Sequence, residues 1–366
     1  MARLARPDER EALRGVWERV FPEDAGTEFV NWLFTKRYLP DWCVVAERAG
    51  RIAGVAHGFP LHMRVRDTIL PCAVLSGVAT EKAFRGQGVM REVITSLMDI
   101  LRARGVPLLP HRPVDIAVYR SLGHYPVCDF QYVSLPSEAP RPFSDACLQT
   151  DMRAYASALY TCYGVFSKRY SCVIDRSYAD FAMKLRDYAS CDAQCLRVEE
   201  AGNVTGYCIY YAEEDGVYAD ECIALSATAY RLLYESFALR TAGRGLRMRL
   251  ASDVVIPGAQ NEIVPMAVLG VVDVQPLLRA AGLSGGSVEI TDDVVCGNAG
   301  VVDLQGNPTK RPPQLRISAG RLAQWATGYR SIKEIVAAGQ AAATDEAIIP
   351  LMDAAGTCPC YIVEEY

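Results

Sequence analysis

The stretch Phe84-Arg85-Gly86-Gln87-Gly88-Val89-Met90-Arg91 decides the reading of this chain. An apolar run from Ile69 to Thr80 precedes it and reads as a strand. Apolar residues follow at Val89, Met90, Val93, Ile94, Leu97, Met98 and Leu101, the spacing of a helix. Gly105 stops that helix. A strand, a glycine-rich loop and a helix start make an anion-binding design. The first amides of a helix lack an intrahelical partner and point outward, and the helix dipole adds a partial positive charge. Gly86 and Gly88 let the backbone approach a phosphate closely, and Arg85 adds a charged donor. The loop is not a P-loop, because Gly-x-x-x-x-Gly-Lys-Ser/Thr is absent. It is not a dinucleotide fingerprint, because Gly-x-Gly-x-x-Gly fails at Arg91. Taken alone it is equally a tight strand-to-helix turn.

Upstream, residues 7–20 read as a helix that begins near Pro7 and presents Leu13, Val16 and Val20 on one face. A second helix spans 26–37, with Phe29, Trp32, Leu33 and Phe34. The run from Trp42, a turn at Ala49-Gly50 and the run from Ile52 make a hairpin. Downstream, Val106 to Pro110 is a strand, and a short helix carries Tyr119-Arg-Ser-Leu-Gly123. A weaker echo of this order follows. Gly202 to Tyr211 mirrors the hairpin strand. Leu233 to Thr241, then Ala-Gly-Arg-Gly, then Leu246 to Leu250 mirrors helix, loop and strand, without a glycine-rich loop ahead of the helix. A third segment holds strands at Met266–Val272, Ser287–Asp292 and Gly300–Leu304. Its helices fall at Val274–Ala281, 319–326 and 331–337. Pro136, Pro140 and Pro142 punctuate the first boundary and Pro257 to Pro265 the second. The reading is a mixed α/β (α+β) chain of three segments, 1–136, 137–261 and 262–366.

Composition agrees. At roughly 150 residues per domain, 366 residues imply two or three domains. With 51% hydrophobic and 22% charged residues, the chain is an ordinary folded one. A net charge of -5 argues against a general nucleic-acid binder. The 13 cysteines are scattered and odd in number, and neither Cys191/Cys195 nor Cys358/Cys360 sits in a zinc pattern. They read as small buried thiols in a reducing cytoplasm. There is no signal-like apolar region at the start and no run of ~18 apolar residues, so no membrane span is expected. The 4 histidines show no metal or triad spacing. His57 reads as a core or edge histidine, while His111 and His124 flank Tyr119, where either could tune it.

Val78-Ala79-Thr80, four residues, and then Arg85-Gly-Gln-Gly-Val-Met90 resembles the acetyl-CoA motif of the GNAT acetyltransferase superfamily, usually Arg/Gln-x-x-Gly-x-Gly/Ala. Met90 replaces the last small residue. Tyr119-x-x-x-Gly123 resembles the superfamily's second motif, with His124 where Phe or Tyr is usual. Several features are similar to the Eis (enhanced intracellular survival) branch. They are a bulky residue at 90, Pro110-His-Arg-Pro ahead of Tyr119, Val272-Asp-Val before a helix, Ser287 to Asp292, and Asn298-Ala-Gly.

The resemblance implies tandem GNAT-like units, the second without a cofactor site, followed by a sterol-carrier-like α+β domain, in a homo-hexamer. It also implies acetyl transfer from acetyl-CoA to a primary amine of an aminoglycoside, a polyamine or a lysine-like substrate. Tyr119 would be the general acid and the carboxylate of the last residue, Tyr366, the general base. The backbone at Val78, Ala79 and Thr80 would pair with the pantetheine arm. Amides of Gly86, Gln87, Gly88, Val89, Met90 and Arg91 would hold the pyrophosphate, with Arg85 beside them. Val114 and Asp115 would flank the cofactor. Glu28, Trp32 and Glu365 are the candidate contacts for a cationic amine. The competing expectation is a vestigial enzyme that binds an apolar ligand through its C-terminal domain. The retained Arg85-Gly-Gln-Gly and Tyr119 favour the enzyme. No metal is expected.

Overall fold

The computed structural model describes residues 2–135, 146–241 and 245–364. The chain begins β1 (Ala2–Leu4), α1 (Arg10–Val20), α2 (Glu28–Trp32), β2 (Cys43–Arg48), β3 (Arg51–Val65), β4 (Thr68–Thr80), α3 (Val89–Ala103), β5 (Leu108–His111) and α4 (Ile116–Arg120). It continues β6 (Tyr125–Leu135), β7 (Leu148–Gln149), α5 (Ala156–Ser167), β8 (Val173–Ile174), α6 (Tyr178–Ser190), β9 (Gln194–Glu200), β10 (Asn203–Ala212), β11 (Gly216–Ala224), α7 (Ala227–Arg240) and β12 (Gly245–Ala251). It ends β13 (Gln260–Val271), α8 (Val274–Ala280), β14 (Ser287–Thr291), β15 (Gly300–Asp303), β16 (Leu315–Ser318), α9 (Ala319–Ala326), α10 (Ile332–Ala337), β17 (Ala341–Ala343) and α11 (Ile348–Asp353).

Two compact units share these elements. Residues 1–128, 171–174 and 266–366 form one, and residues 129–170 and 175–265 the other. In the first, strands lie in the order β1-β2-β3-β4-β5-β13. In this sheet, among the described residues, only β4 and β5 run parallel; the other neighbours are antiparallel. Helix α3 supplies the parallel crossover and buries Val93, Ile94, Leu97 and Leu101 against Val44, Ala56, Ala73 and Leu75. Each such side chain contributes about 1.5–3 kcal/mol on burial. A separate sheet in this unit, β15-β14-β16-β17, carries α8 to α11. In the second unit the order is β7-β9-β10-β11-β12-β6, again with one parallel pair, β11 and β12, crossed over by α7. The echo heard in the sequence is therefore a repeat of strand order and sense.

Most expected elements stand, with shifted limits. The 7–20 helix starts as a 3-10 turn, Pro7–Glu9, before α1. The 26–37 helix splits into α2 and a wider π turn, Leu33–Arg37. Strand β13 begins at Gln260, so Pro265 lies inside a strand, although the division between units does fall after it. Pro136, Pro140, Pro142 and the Ala-Gly-Arg of 242–244 lie outside the described residues. Among the described residues, no helix is long and apolar enough to cross a membrane.

Candidate active site

Strand β4 carries a bulge at its exit. Ser76 opposes His57 and Ala79 opposes Val55, so Gly77 and Val78 face the single residue Ala56. Gly77 has φ +54°, and a Cβ there would lie 2.3 Å from the Trp17 ring. Both the conformation and the space demand glycine. A bulge of this kind re-aims the strand end that follows it, here Val78, Ala79 and Thr80. Among the described residues, β4 and β5 are in register only at Cys72 and Leu108. Past that point, among the described residues, β4 and β5 share no register, which leaves that edge of β4 open to another partner.

The loop then delivers α3 with an uncapped N-terminus. Gly88 is the cap residue at φ +75° and offers no side chain. Gly86 also has positive φ, +73°, and neither glycine has a neighbour that a Cβ would meet. The two are therefore needed for backbone conformation rather than for close packing. Gly86, Gln87, Gly88 and Arg91 are exposed, while Val89 is buried in the core and Met90 packs against it. The side chains brace the loop. Arg85 Nε donates to the Thr80 carbonyl at 3.2 Å, and Gln87 Nε2 donates to Ala83 O at 3.1 Å. Arg91 Nη1 donates to Ser121 O at 2.9 Å and ties α3 to the turn after Tyr119.

Helix α4 positions Tyr119. Its cap is Asp115, whose carboxylate accepts from the Ala117 amide at 2.8 Å. Asp115 thus seats the helix, while Val114 beside it is fully exposed. Burial pushes the Tyr119 hydroxyl up to about 12, so it stays protonated at neutral pH. Its ring lies 4.4 Å from His111 and 6.0 Å from His124. The two histidines, which showed no constellation by spacing, are buried together with His111 Nε2 and His124 Nδ1 2.8 Å apart. Burial pushes His124 down to about 3, and burial with the neighbouring ring pushes His111 well below its usual range; both are neutral at pH 7. His57 behaves as a core histidine among Trp17, Phe34, Tyr38 and Phe59, and burial pushes it down to about 4.

Of the remaining expected site residues, Glu28 is exposed in the first turn of α2 and Trp32, four residues on, is half-buried. The C-terminal segment is docked rather than frayed. Cys360, Tyr361, Ile362, Val363 and Glu364 are all buried. Tyr361 N donates to Ser171 O at 3.1 Å, Cys128 Sγ to Cys360 O at 3.2 Å, and Arg112 Nη1 to Val363 O at 3.3 Å. Arg112 follows β5 directly, so the tail reaches the strand that carries His111. Sequence spacing gave no sign of that clasp. Glu365 and Tyr366 lie outside the described residues. Most of the 13 cysteines are buried. Among the described residues no His/Cys/Asp/Glu group could hold a metal ion.

Comparison with known proteins accords with this geometry. Residues 1–127 match the model of the acetyltransferase (GNAT) domain, and residues 277–359 match that of the sterol carrier protein domain. The chain carries a GNAT acetyltransferase domain. It is accordingly an acetyltransferase, and GNAT acetyltransferases use acetyl-CoA. No curated protein sequence matches it. Solved structures match along its whole length at low identity, which speaks for the fold. A probable N-acyltransferase of unknown function from Enterococcus faecalis V583 has 16% identity and a TM-score of 0.84, over 100% of this chain and 99% of that one. A GCN5-related N-acetyltransferase from Kribbella flavida has 18% identity and a TM-score of 0.78, over 100% of both chains. Eis1 from Mycobacterium abscessus has 16% identity and a TM-score of 0.77, also over 100% of both. The Eis-like fold expected from the motifs is thus the fold of the entire GNAT and sterol-carrier chain.

Proposed function

We propose that this acetyltransferase moves the acetyl group of acetyl-CoA to a primary amine of a cationic substrate, an aminoglycoside, a polyamine or a lysine-like side chain. The observation that carries the reading is the uncapped, glycine-framed start of α3 beside the unladdered edge of β4, with a protonated Tyr119 held close by. Acetyl-CoA supplies an activated thioester acyl group. The free amides from Gly86 to Arg91 bind its pyrophosphate. The backbone of Val78, Ala79 and Thr80 pairs with the pantetheine arm, and exposed Val114 gives that arm an apolar flank. Tyr119 donates its proton to the departing thiolate.

The carboxylate of Tyr366 serves as the base that takes the proton from the amine. Burial of the tail up to Glu364 and its clasp by Arg112 support that role. A two-residue extension reaches at most ~7 Å further. Glu28 and Trp32, one helical turn apart on α2, and Glu365 on the tail receive the cationic acceptor. The proposal keeps three segments, 1–136, 137–261 and 262–366, a hexameric assembly and a cytoplasmic setting.

Tyr119→Phe should lower kcat by roughly 10²–10³-fold, within the range for a general acid, with acetyl-CoA affinity by calorimetry unchanged. Full activity in that variant removes Tyr119 from the chemistry. A peptide tag appended after Tyr366 should inactivate the enzyme, whereas the same tag at the N-terminus should not. An active C-terminally tagged enzyme rules out the terminal carboxylate as base.

A further inference from the structure

The histidine pair behind Tyr119 has a proton arrangement that hydrogen-bond accounting can assign. Each neutral imidazole carries one N–H and one bare nitrogen. The 2.8 Å contact between His111 Nε2 and His124 Nδ1 takes one donor and one acceptor. Two arrangements satisfy it. In the first, His111 donates from Nε2, and the proton of His124 then sits on its own Nε2. That nitrogen is buried in a fully enclosed residue and has no hydrogen-bond partner among the described residues. In the second, His124 donates from Nδ1, and its Nε2 is bare. A buried N–H without an acceptor is rarer in proteins than an acceptor without a donor. The second arrangement is therefore preferred. It places the remaining proton of His111 on Nδ1.

We infer that His124 is a positioning residue that locks His111 in the Nδ1–H form against the Tyr119 ring. His111 then enters the site as a hydrogen-bond donor. It has no free lone pair with which to act as a base, because His124 occupies the one on Nε2. The surroundings hold the lock in place. Gly270 on β13 lies against the His124 ring, so closely that a Cβ would come within 2.4 Å of Nε2. The His124 amide donates to Tyr119 O at 3.3 Å, which joins the ring to the end of α4. A Phe at position 124 fills the same space and offers neither donor nor acceptor.

The consequence for catalysis rests on the proposed acid role of Tyr119; the proton assignment does not. The test begins with nitrogen-15 NMR of the histidine rings in the unaltered protein at pH 7, assigned with single variants. Both His111 and His124 should show the proton on Nδ1 and a bare Nε2. A proton on Nε2 of either ring, or a doubly protonated ring, overturns the assignment. His124→Phe should release His111 from the Nδ1–H form and lower kcat about tenfold, the scale of one hydrogen bond, with KM for acetyl-CoA changed by less than about twofold. His124→Asn places an amide N–H where Nδ1–H was, and should restore both the His111 signature and most of kcat. If His111 keeps its Nδ1 proton in the Phe variant, or if Asn and Phe are equally impaired, His124 is not the lock. Should Tyr119→Phe prove fully active, the acid reading fails while the NMR result still decides the proton assignment.

Discussion

The molecule contains the same parallel crossover twice, and the two copies differ at the helix entry. In the first, β4 leads through Arg-Gly-Gln-Gly into α3, which starts at Gly88 without a side-chain cap. In the second, β11 passes through Leu225 to Ser226, whose hydroxyl accepts from the Ala229 amide at 3.1 Å and caps α7. The strand gaps differ as well. Strand β4 is registered with β5 at one position. Strand β11 is registered with β12 over four, from Gly216 with Gly245 to Ala219 with Met248. At the next residue the gap is closed by a side chain. The buried Arg249 guanidinium donates to the Asp220 carbonyl at 2.7 Å through Nε and to the Asp220 carboxylate through Nη2. One topology thus leaves the helix entry uncapped and the strand edge open in one copy, while a serine and an arginine claim them in the other.

Removing the plug is the strongest way to stress this contrast. Arg249→Ala leaves the Asp220 carboxylate without its buried partner. Loss of one member of such a pair costs about 3–5 kcal/mol. The network around it also suffers, because Tyr188 donates to Asp220 at 3.0 Å, and Glu221 alongside is held by Arg176 at 2.9 and 2.8 Å and by Tyr207 at 2.6 Å. A large drop in unfolding midpoint is expected, with no second equivalent of acetyl-CoA bound. Two equivalents by calorimetry would mean that Arg249 alone separates the copies.

The converse change narrows the first site. Gly88→Ala forces a side chain into the left-handed region at the cap, at a cost of about 1–2 kcal/mol, which converts to roughly tenfold in affinity if the bound loop bears it. Acetyl-CoA binding should weaken by about that factor, and Gly86→Ala should act alike. Because neither glycine has a neighbour that a Cβ would meet, a loss of binding here reports on conformation and not on a clash.

These residues also mark how far sequence reaches. The period of Val89 to Leu101 and the glycines before it are local signals, and α3 and its open cap were legible from them. So was the repeated order, because hairpin, helix and strand each carry their own pattern. Strand β3 ran further than expected, to Val65, since Pro60 hides its period and the turn after it uses Arg66 at φ +53° in place of glycine. The brace from Arg91 to Ser121, the plug at Arg249 and the clasp of Arg112 on the tail left no such trace. Each joins residues whose separation is set by tertiary packing, and an arginine in a chain with 38 basic residues announces no partner. The histidine pair sits between these cases. Its members flank Tyr119 in the sequence, but their contact depends on the turn after α4, which brings His124 back against His111 at the end of β5.

The smallest effect belongs to the cap of the second copy, and it separates two explanations for that copy's silence. Ser226→Ala removes the side-chain acceptor that caps the start of α7 and should cost ~1 kcal/mol, while Ser226→Gly should cost only a few tenths. Glycine there also frees the first amides of α7 and so imitates the entry of α3. If capping alone kept the second copy closed, Ser226→Gly would gain acetyl-CoA binding. The Arg249 side chain still fills the strand gap in that variant, and a pyrophosphate site without room for the pantetheine arm cannot hold the cofactor. Ser226→Gly should therefore bind one equivalent, as the unaltered chain should, and only the pair Ser226→Gly with Arg249→Met tests whether both barriers are required.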